Sequence, residues 1–278
     1  LLYALRDVTA TVDSIPLIAA SIMSKKLAAG ADVLVLDVKV GNGAFMKNAD
    51  QACELARQMV SIGRNAGCRT VALISNMDQP LGWTVGNALE VQEAIETLAG
   101  NGSSDLKNLC LALGGWILYL CKKSDSVNEG SNILLELLES GAAKQKFKKM
   151  VEYQEGNTAV VEDLTLLPQV PYSLSINADQ EGYVQLLQAE KIGLAAMELG
   201  AGRKVKDSHV DPAAGVILKK KIGDKVKKGE LLAVLRTQDR KTAEQAKQLV
   251  REAYHIVKKP AAEPPLVISV IDQQGRCV

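Results

Sequence analysis

The sequence predicts an α/β chain with a mostly parallel sheet and flanking helices, followed by a C-terminal α+β domain. Three observations predict it. Two apolar, β-branched runs, "ADVLVLDVKVG" and "CRTVALIS", lack the alternation of a half-exposed strand and read as strands covered on both faces. A helical pattern from Asp50 to Asn65 lies between them, so strand, helix and strand form a βαβ unit, from which a parallel sheet follows. Beyond the two prolines of "LLPQVPYSLSI" (Leu166 to Ile176) the composition shifts. There "AAGVILKKKIGDKVKKGELLAVL" alternates apolar and polar residues around Gly-Asp and Lys-Gly turns, the chemistry of antiparallel hairpins.

Taken in order, the chain begins with a segment leading into a helix. Asp13 and Ser14 are good capping residues, and Pro16 suits a first turn, where its missing N–H does no harm. Apolar residues then recur through Ile15, Leu17, Ile18, Ile22, Met23 and Leu27 until Gly30 offers a stop, a helix of roughly four turns. After the βαβ unit, a helical pattern runs from Val85 to Leu98 and ends in a Gly/Asn/Ser/Asp cluster. Two or three more helices reach about Gln154. The most apolar stretch, "LCLALGGWILYLC" (Leu109 to Cys121), is too short to span a bilayer and reads as a buried helix. A helix is expected from Lys241 to Lys258, and "PLVISVI" reads as a closing strand.

A length of 278 residues suffices for a large core and for two domains. A formal net charge of +1 argues against wholesale binding to nucleic acid or to an acidic membrane. Five cysteines show neither CxxC pairing nor a metal-ligand rhythm, so a reduced, cytoplasmic protein is expected. His209 and His255 have no paired Ser, Cys or carboxylate pattern of a catalytic triad and read as surface or interface residues. The first residue is Leu, which suggests a piece of a longer protein.

The stretch "YALRDVTATVDSIPLIAASIMSKK" (Tyr3 to Lys26) sets an arginine and two lysines around an apolar helical segment. Ser21 and Lys25 are four apart and share one helix face, and Arg6 is close enough in sequence to fold over it. A hydroxyl, an ammonium and a guanidinium could converge on a planar ligand with carbonyl and N–H edges. The same residues would serve equally as an exposed face and a basic helix C-terminus. The glycines of "DVKVGNGAF" follow a strand, where open α/β sheets place ligands, although a turn that needs glycine accounts for them as well. Phe45, one of two phenylalanines, sits just after this loop as a stacking or packing wall. "KIGDKVKKGELLAVL" resembles a lipoyl or biotinyl carrier hairpin but has no identifiable modifiable lysine at a tip, so the module is read as structural.

Three long blocks carry a specific resemblance. "YALRDVTATVDSIPLIAASIMSKKLAAGADVLVLDVKVGNGAFMK", "SNMDQPLGWTVGNALEVQEAI" and "GAGRKVKDSHVDPAAGV" resemble the thymidine and pyrimidine-nucleoside phosphorylases over nearly the whole chain. The resemblance implies that Arg6, Ser21 and Lys25 hold the pyrimidine base, Arg6 and Lys25 being its catalytic cations. It implies that Val12, Ile18 and Phe45 form the apolar wall near the base's 5-position. It also implies a monovalent cation, potassium, between the domains, its ligands on this side of the cleft being the backbone carbonyls of Leu81 and Thr84 and the carboxylate of Glu93, with Thr84 where alanine is expected. By the same resemblance residues 1–29 end a small helical lobe, 30–170 form the α/β phosphorylase domain and 171–278 the C-terminal α+β domain, and the full-length parent is a homodimer.

The implied reaction is phosphorolysis of uridine, thymidine or deoxyuridine to free base and (deoxy)ribose 1-phosphate, with phosphate as co-substrate and no nucleic-acid or membrane partner. A phosphate loop of the Lys-His-Ser-Thr-Gly-Gly type does not occur in these 278 residues. On the resemblance the chain is therefore the base-binding and C-terminal portion, expected to be inactive alone. A catalytically inactive binding module and a related phosphorylase acting on nucleotides are the alternatives.

Overall fold

The computed structural model describes residues 14–205 and 208–277. Helix α1 (Ile15–Ala28) starts as expected, with Ser14 at the cap position and a proline in the first turn, although the Ser14 side chain makes no capping bond. Lys25 and Lys26 fall in its last turn, where the helix dipole favours positive charge. Strand β1 (Val33–Val40), helix α2 (Ala49–Asn65) and strand β2 (Arg69–Asn76) follow as a βαβ unit. Asn48 begins α2 by accepting from the Gln51 N–H at 3.0 Å. That helix buries Ala52, Leu55, Ala56, Met59 and Val60 in one cluster with Ala19 and Met23 of α1.

β1 and β2 pair in parallel from Val33↔Arg69 to Val40↔Asn76. The expectation of a mostly parallel sheet needs correction, because every other strand pairing among the described residues is antiparallel. The reason lies in the connections. After β2 come β3 (Thr84–Val85) and then only helices, α3 (Asn87–Leu98), α4 (Ser104–Leu120), α5 (Val127–Glu139) and α6 (Ala142–Tyr153), so no second βαβ crossover feeds the first sheet. Its third strand is β10 (Val267–Ile271), which runs antiparallel to β2.

The remaining strands are β4 (Tyr172–Asn177), β5 (Gly182–Leu187), β6 (Gly215–Leu218), β7 (Lys225–Val226), β8 (Leu231–Thr237) and β9 (Tyr254–Val257). They form two sheets, ordered β3-β6-β8-β4 and β7-β5-β9. Helices α7 (Ala189–Leu199) and α8 (Arg240–Ala253) bury alanine-rich faces in the same core, against Val216, Leu218, Leu232 and Leu235. The helix expected over Lys241 to Lys258 ends at Ala253, because the next four residues pair with β5 and Tyr254 donates from its hydroxyl to the carbonyls of Lys220 and Leu232.

The chain divides into two compact units. One takes in the chain up to Asn76, Leu109–Leu134 and Pro265 onward, and the other Met77–Asn108 and Leu135–Pro264. β10 lies beyond residue 170 yet pairs with β2, so packing and a linear division at 170 do not coincide. The apolar α4 is only partly covered: Leu109, Gly115 and Leu120 are buried while Ile117 and Tyr119 are exposed. No helix among the described residues is long and apolar enough to cross a membrane.

Candidate active site

Arg6 and Val12 lie outside the described residues. The other four residues expected around a base, Ile18, Ser21, Lys25 and Phe45, line one pocket of about 590 Å³ in the first unit. Ile18, Ser21 and Lys25 come from α1, where spacings of three and four residues place them along one stripe. Phe45 follows the turn at Gly41, whose φ of +125° favours glycine and whose N–H donates to the Met46 carbonyl at 3.0 Å. The residue is 54% exposed, available as a wall rather than spent in the core. Leu34, Leu36, Leu55 and Met59 are among the residues that add to the apolar lining.

The pocket also holds a charged group that the sequence reading missed. Asp37 and Lys39 of β1 line it, and the Lys39 ammonium lies 2.7 Å from an Asp37 carboxylate oxygen. Lys39 also donates to the Ser75 hydroxyl at 3.0 Å, and that hydroxyl donates to Asp37. The parallel register sets Lys39 opposite Ser75, which closes this three-membered ring across two strands. Two charges inside an otherwise apolar strand were a readable signal. Their mutual satisfaction leaves the wall a fixed polar patch of little net charge.

Thr84 and Glu93 come together in the second unit, and Leu81 lies in the same loop, one residue before Gly82. Glu93, 5% exposed, accepts from the Trp83 N–H at 2.7 Å, the Thr84 N–H at 3.0 Å and the Thr84 hydroxyl at 2.7 Å. The threonine that stands in for the expected alanine thus adds a third donor to the carboxylate. Gly82, at φ +72°, lets the loop wrap so tightly that a Cβ there would lie 2.7 Å from a Glu93 oxygen. Three bonds occupy three of about four acceptor directions on a carboxylate. Two carbonyls and a singly charged carboxylate form an all-oxygen donor set, and hard, weakly charged cations prefer oxygen. The residues therefore fit a monovalent cation. No group of three or more His, Cys, Asp and Glu suited to a metal occurs among the described residues.

Beside this loop stands a second feature that no local pattern announces, a buried pair between Lys221 and Asp105. Burial pushes the Asp105 carboxyl up, but the hydrogen bond and charge of Lys221, helped by the Leu106 N–H, outweigh it and hold its pKa below the usual range. Nucleophilic thiol chemistry finds no support at Cys53 or Cys110, since burial raises both thiols above the ordinary value. His209 and His255 are exposed, as expected of surface residues.

Comparison with known proteins completes the reading. Residues 1–144 match the family described as "Glycosyl transferase family, a/b domain", and residues 183–257 match the "Pyrimidine nucleoside phosphorylase C-terminal domain". The pyrimidine-nucleoside phosphorylase of Geobacillus stearothermophilus is 50% identical over 97% of this chain and 62% of its own length. That of Bacillus subtilis (strain 168) is 54% identical over 84% of this chain and 54% of its own length. That of Staphylococcus aureus (strain USA300) is 48% identical over 98% of this chain and 62% of its own length. The chain thus spans about three fifths of the length of the curated relatives it matches. With a transferase α/β part and a phosphorylase C-terminal domain in one polypeptide, the chain belongs to the glycosyl transferase family of the pyrimidine-nucleoside phosphorylases.

Proposed function

We propose that this chain supplies the base-binding side of an enzyme that phosphorolyses pyrimidine nucleosides, uridine, thymidine and deoxyuridine among them. The observation that carries the reading is the convergence of Ile18, Ser21, Lys25 and Phe45 on one pocket, in a chain whose relatives bear the name pyrimidine-nucleoside phosphorylase.

In the reaction a phosphate oxygen bonds to the anomeric carbon as the glycosidic C–N bond breaks. The electron pair of that bond leaves with the base. Negative charge then spreads over the ring nitrogen and the two carbonyls. Lys25, with Arg6 brought in from the preceding segment, would stabilise that charge, and Arg6 can present two parallel donors where a lysine presents a point charge. Ser21 would bond an edge of the ring, and Ile18, Phe45 and Val12 would exclude water and bulk at the 5-position. Phosphate is the nucleophile, so positioning takes the place of a covalent residue. Potassium on Leu81, Thr84 and Glu93 would fix a loop rather than touch the reacting atoms. On this reading residues 1–29 close a helical lobe, 30–170 are the phosphorylase domain and 171–278 the C-terminal domain, and the enzyme works as a cytoplasmic homodimer.

The test has two arms. In equilibrium dialysis the 278-residue chain is expected to bind uracil and thymine but not adenine, and Lys25→Met to weaken uracil at least tenfold. In a longer polypeptide that contains this chain and converts uridine with phosphate, Arg6→Ala should lower kcat/KM about a hundredfold, roughly 3 kcal/mol for one donor to a developing anion. Adenine bound as tightly as uracil, or an Arg6→Ala enzyme within threefold of wild type, would remove the reading.

A further inference from the structure

We propose that Asp105 and Lys221 are a positioning pair that aims the Leu81 carbonyl at the cation; this rests on the reading that Leu81, Thr84 and Glu93 hold a monovalent ion. The two side chains come from distant parts of the second unit and meet beneath the loop, with side-chain exposures of 11% for Lys221 and 15% for Asp105. Lys221 donates to Asp105 and, at 3.1 Å, to the Pro80 carbonyl. The same Asp105 oxygen accepts from the Gly82 N–H at 3.2 Å. The pair therefore grips the backbone on both sides of Leu81.

The geometry of the peptide group turns that grip into an aim. A trans peptide is planar, and its C=O and N–H point in opposite directions. The Leu81 carbonyl shares its plane with the Gly82 N–H, so an N–H tied to Asp105 points the carbonyl directly away from Asp105. The following planes are fixed in the same way. The Trp83 carbonyl accepts from the Leu218 N–H at 2.6 Å while the Thr84 N–H, in the same plane, is held by Glu93 at 3.0 Å. Glu93 thus orients the far side of the loop, and Asp105 the near side. Lys221 holds the Asp105 carboxylate in place, and its ammonium also lies 5.1 Å from the centre of the Trp83 ring, a cation–π contact that ties the pair to the loop again.

The experiment compares wild type, Lys221→Met, Asp105→Asn and the conservative Lys221→Arg in the 278-residue chain. Hydrogen exchange of the peptide covering residues 79–85 is read by mass spectrometry in potassium-free buffer. The potassium concentration giving half of the rise in melting temperature is read in parallel. Lys221→Met and Asp105→Asn are expected to speed exchange of that peptide at least tenfold, with the rest of the unit unchanged. They should raise the half-effect potassium concentration at least fivefold, and Lys221→Arg should stay within threefold of wild type on both measures. Exchange within threefold of wild type in Lys221→Met, or acceleration spread evenly through the unit, overturns the proposal. If potassium has no effect on wild type while the 79–85 peptide still opens selectively, the cation reading falls and the aim at a cation with it, and only the grip of Asp105 and Lys221 on the loop stands.

Discussion

The loop of residues 79–84 and the pocket around Ser21, Lys25 and Phe45 are built on opposite principles. In the loop the polar groups belong to the main chain, and side chains from elsewhere tie it down: Glu93, Asp105, Lys221 and the backbone of β6. In the pocket the functional groups are side chains on a half-buried to exposed helix face and at the edge of a turn, against an apolar floor. A site of the first kind cannot lose a side chain without leaving buried donors unpaired. A site of the second kind can, because water takes over the vacated partners. Substitutions in the loop should therefore register as stability, and those in the pocket as affinity.

The strongest way to break that contrast is Glu93→Leu. It leaves two backbone N–H groups and the Thr84 hydroxyl without their acceptor in a partly buried site. Each unpaired donor costs about 1–3 kcal/mol, so a loss of roughly 4 kcal/mol in unfolding free energy is expected, read by urea denaturation. A loss below about 1 kcal/mol would mean that water reaches the loop and that its bonds are no firmer than those of the pocket.

Gly82→Ala asks the same question through shape. The φ of +72° is unfavourable for alanine, and its Cβ would meet the Glu93 carboxylate, a side chain that cannot retreat without releasing the Trp83 and Thr84 N–H groups. About 2 kcal/mol of destabilisation is expected. Thermal unfolding of the variant checks it, and an unchanged melting temperature would show that the loop relaxes freely.

The same contrast decides what could be read from the sequence. Ser21 and Lys25 were legible because one helix carries both, and the i, i+4 spacing converts directly into a shared face. The βαβ unit was legible for the same local reason, two buried runs flanking a helical period, and β1 and β2 do pair in parallel. What failed depended on partners remote in sequence. Strand β10 joins β2 from the far end of the chain and turns the rest of that sheet antiparallel. Tyr254 to Val257 continue a helical pattern, yet form a strand because β5 offers an edge. Asp105 and Lys221 lie 116 residues apart, and neither run of sequence signals the other. Asp37 and Lys39 are an intermediate case: the charges stood out in an apolar strand, but Ser75, which completes their ring, became visible only through the register.

Asn48→Ala gives the smallest effect and sharpens the comparison from the pocket side. Asn48 follows the turn that carries Phe45 and begins α2, accepting from the Gln51 N–H at 3.0 Å in an exposed position. Its loss leaves a donor that water can reach, so the expected cost is that of an ordinary N-cap, about 1 kcal/mol. The helix body supplies Leu55 and Met59 to the pocket floor and is held by its buried face, so uracil affinity should stay within twofold of wild type. Urea denaturation and equilibrium dialysis on the same preparation separate the two quantities. A drop in affinity as large as that of Lys25→Met, without a matching loss of stability, would show that the cap shapes the Phe45 turn. The pocket would then depend on main-chain positioning just as the loop does.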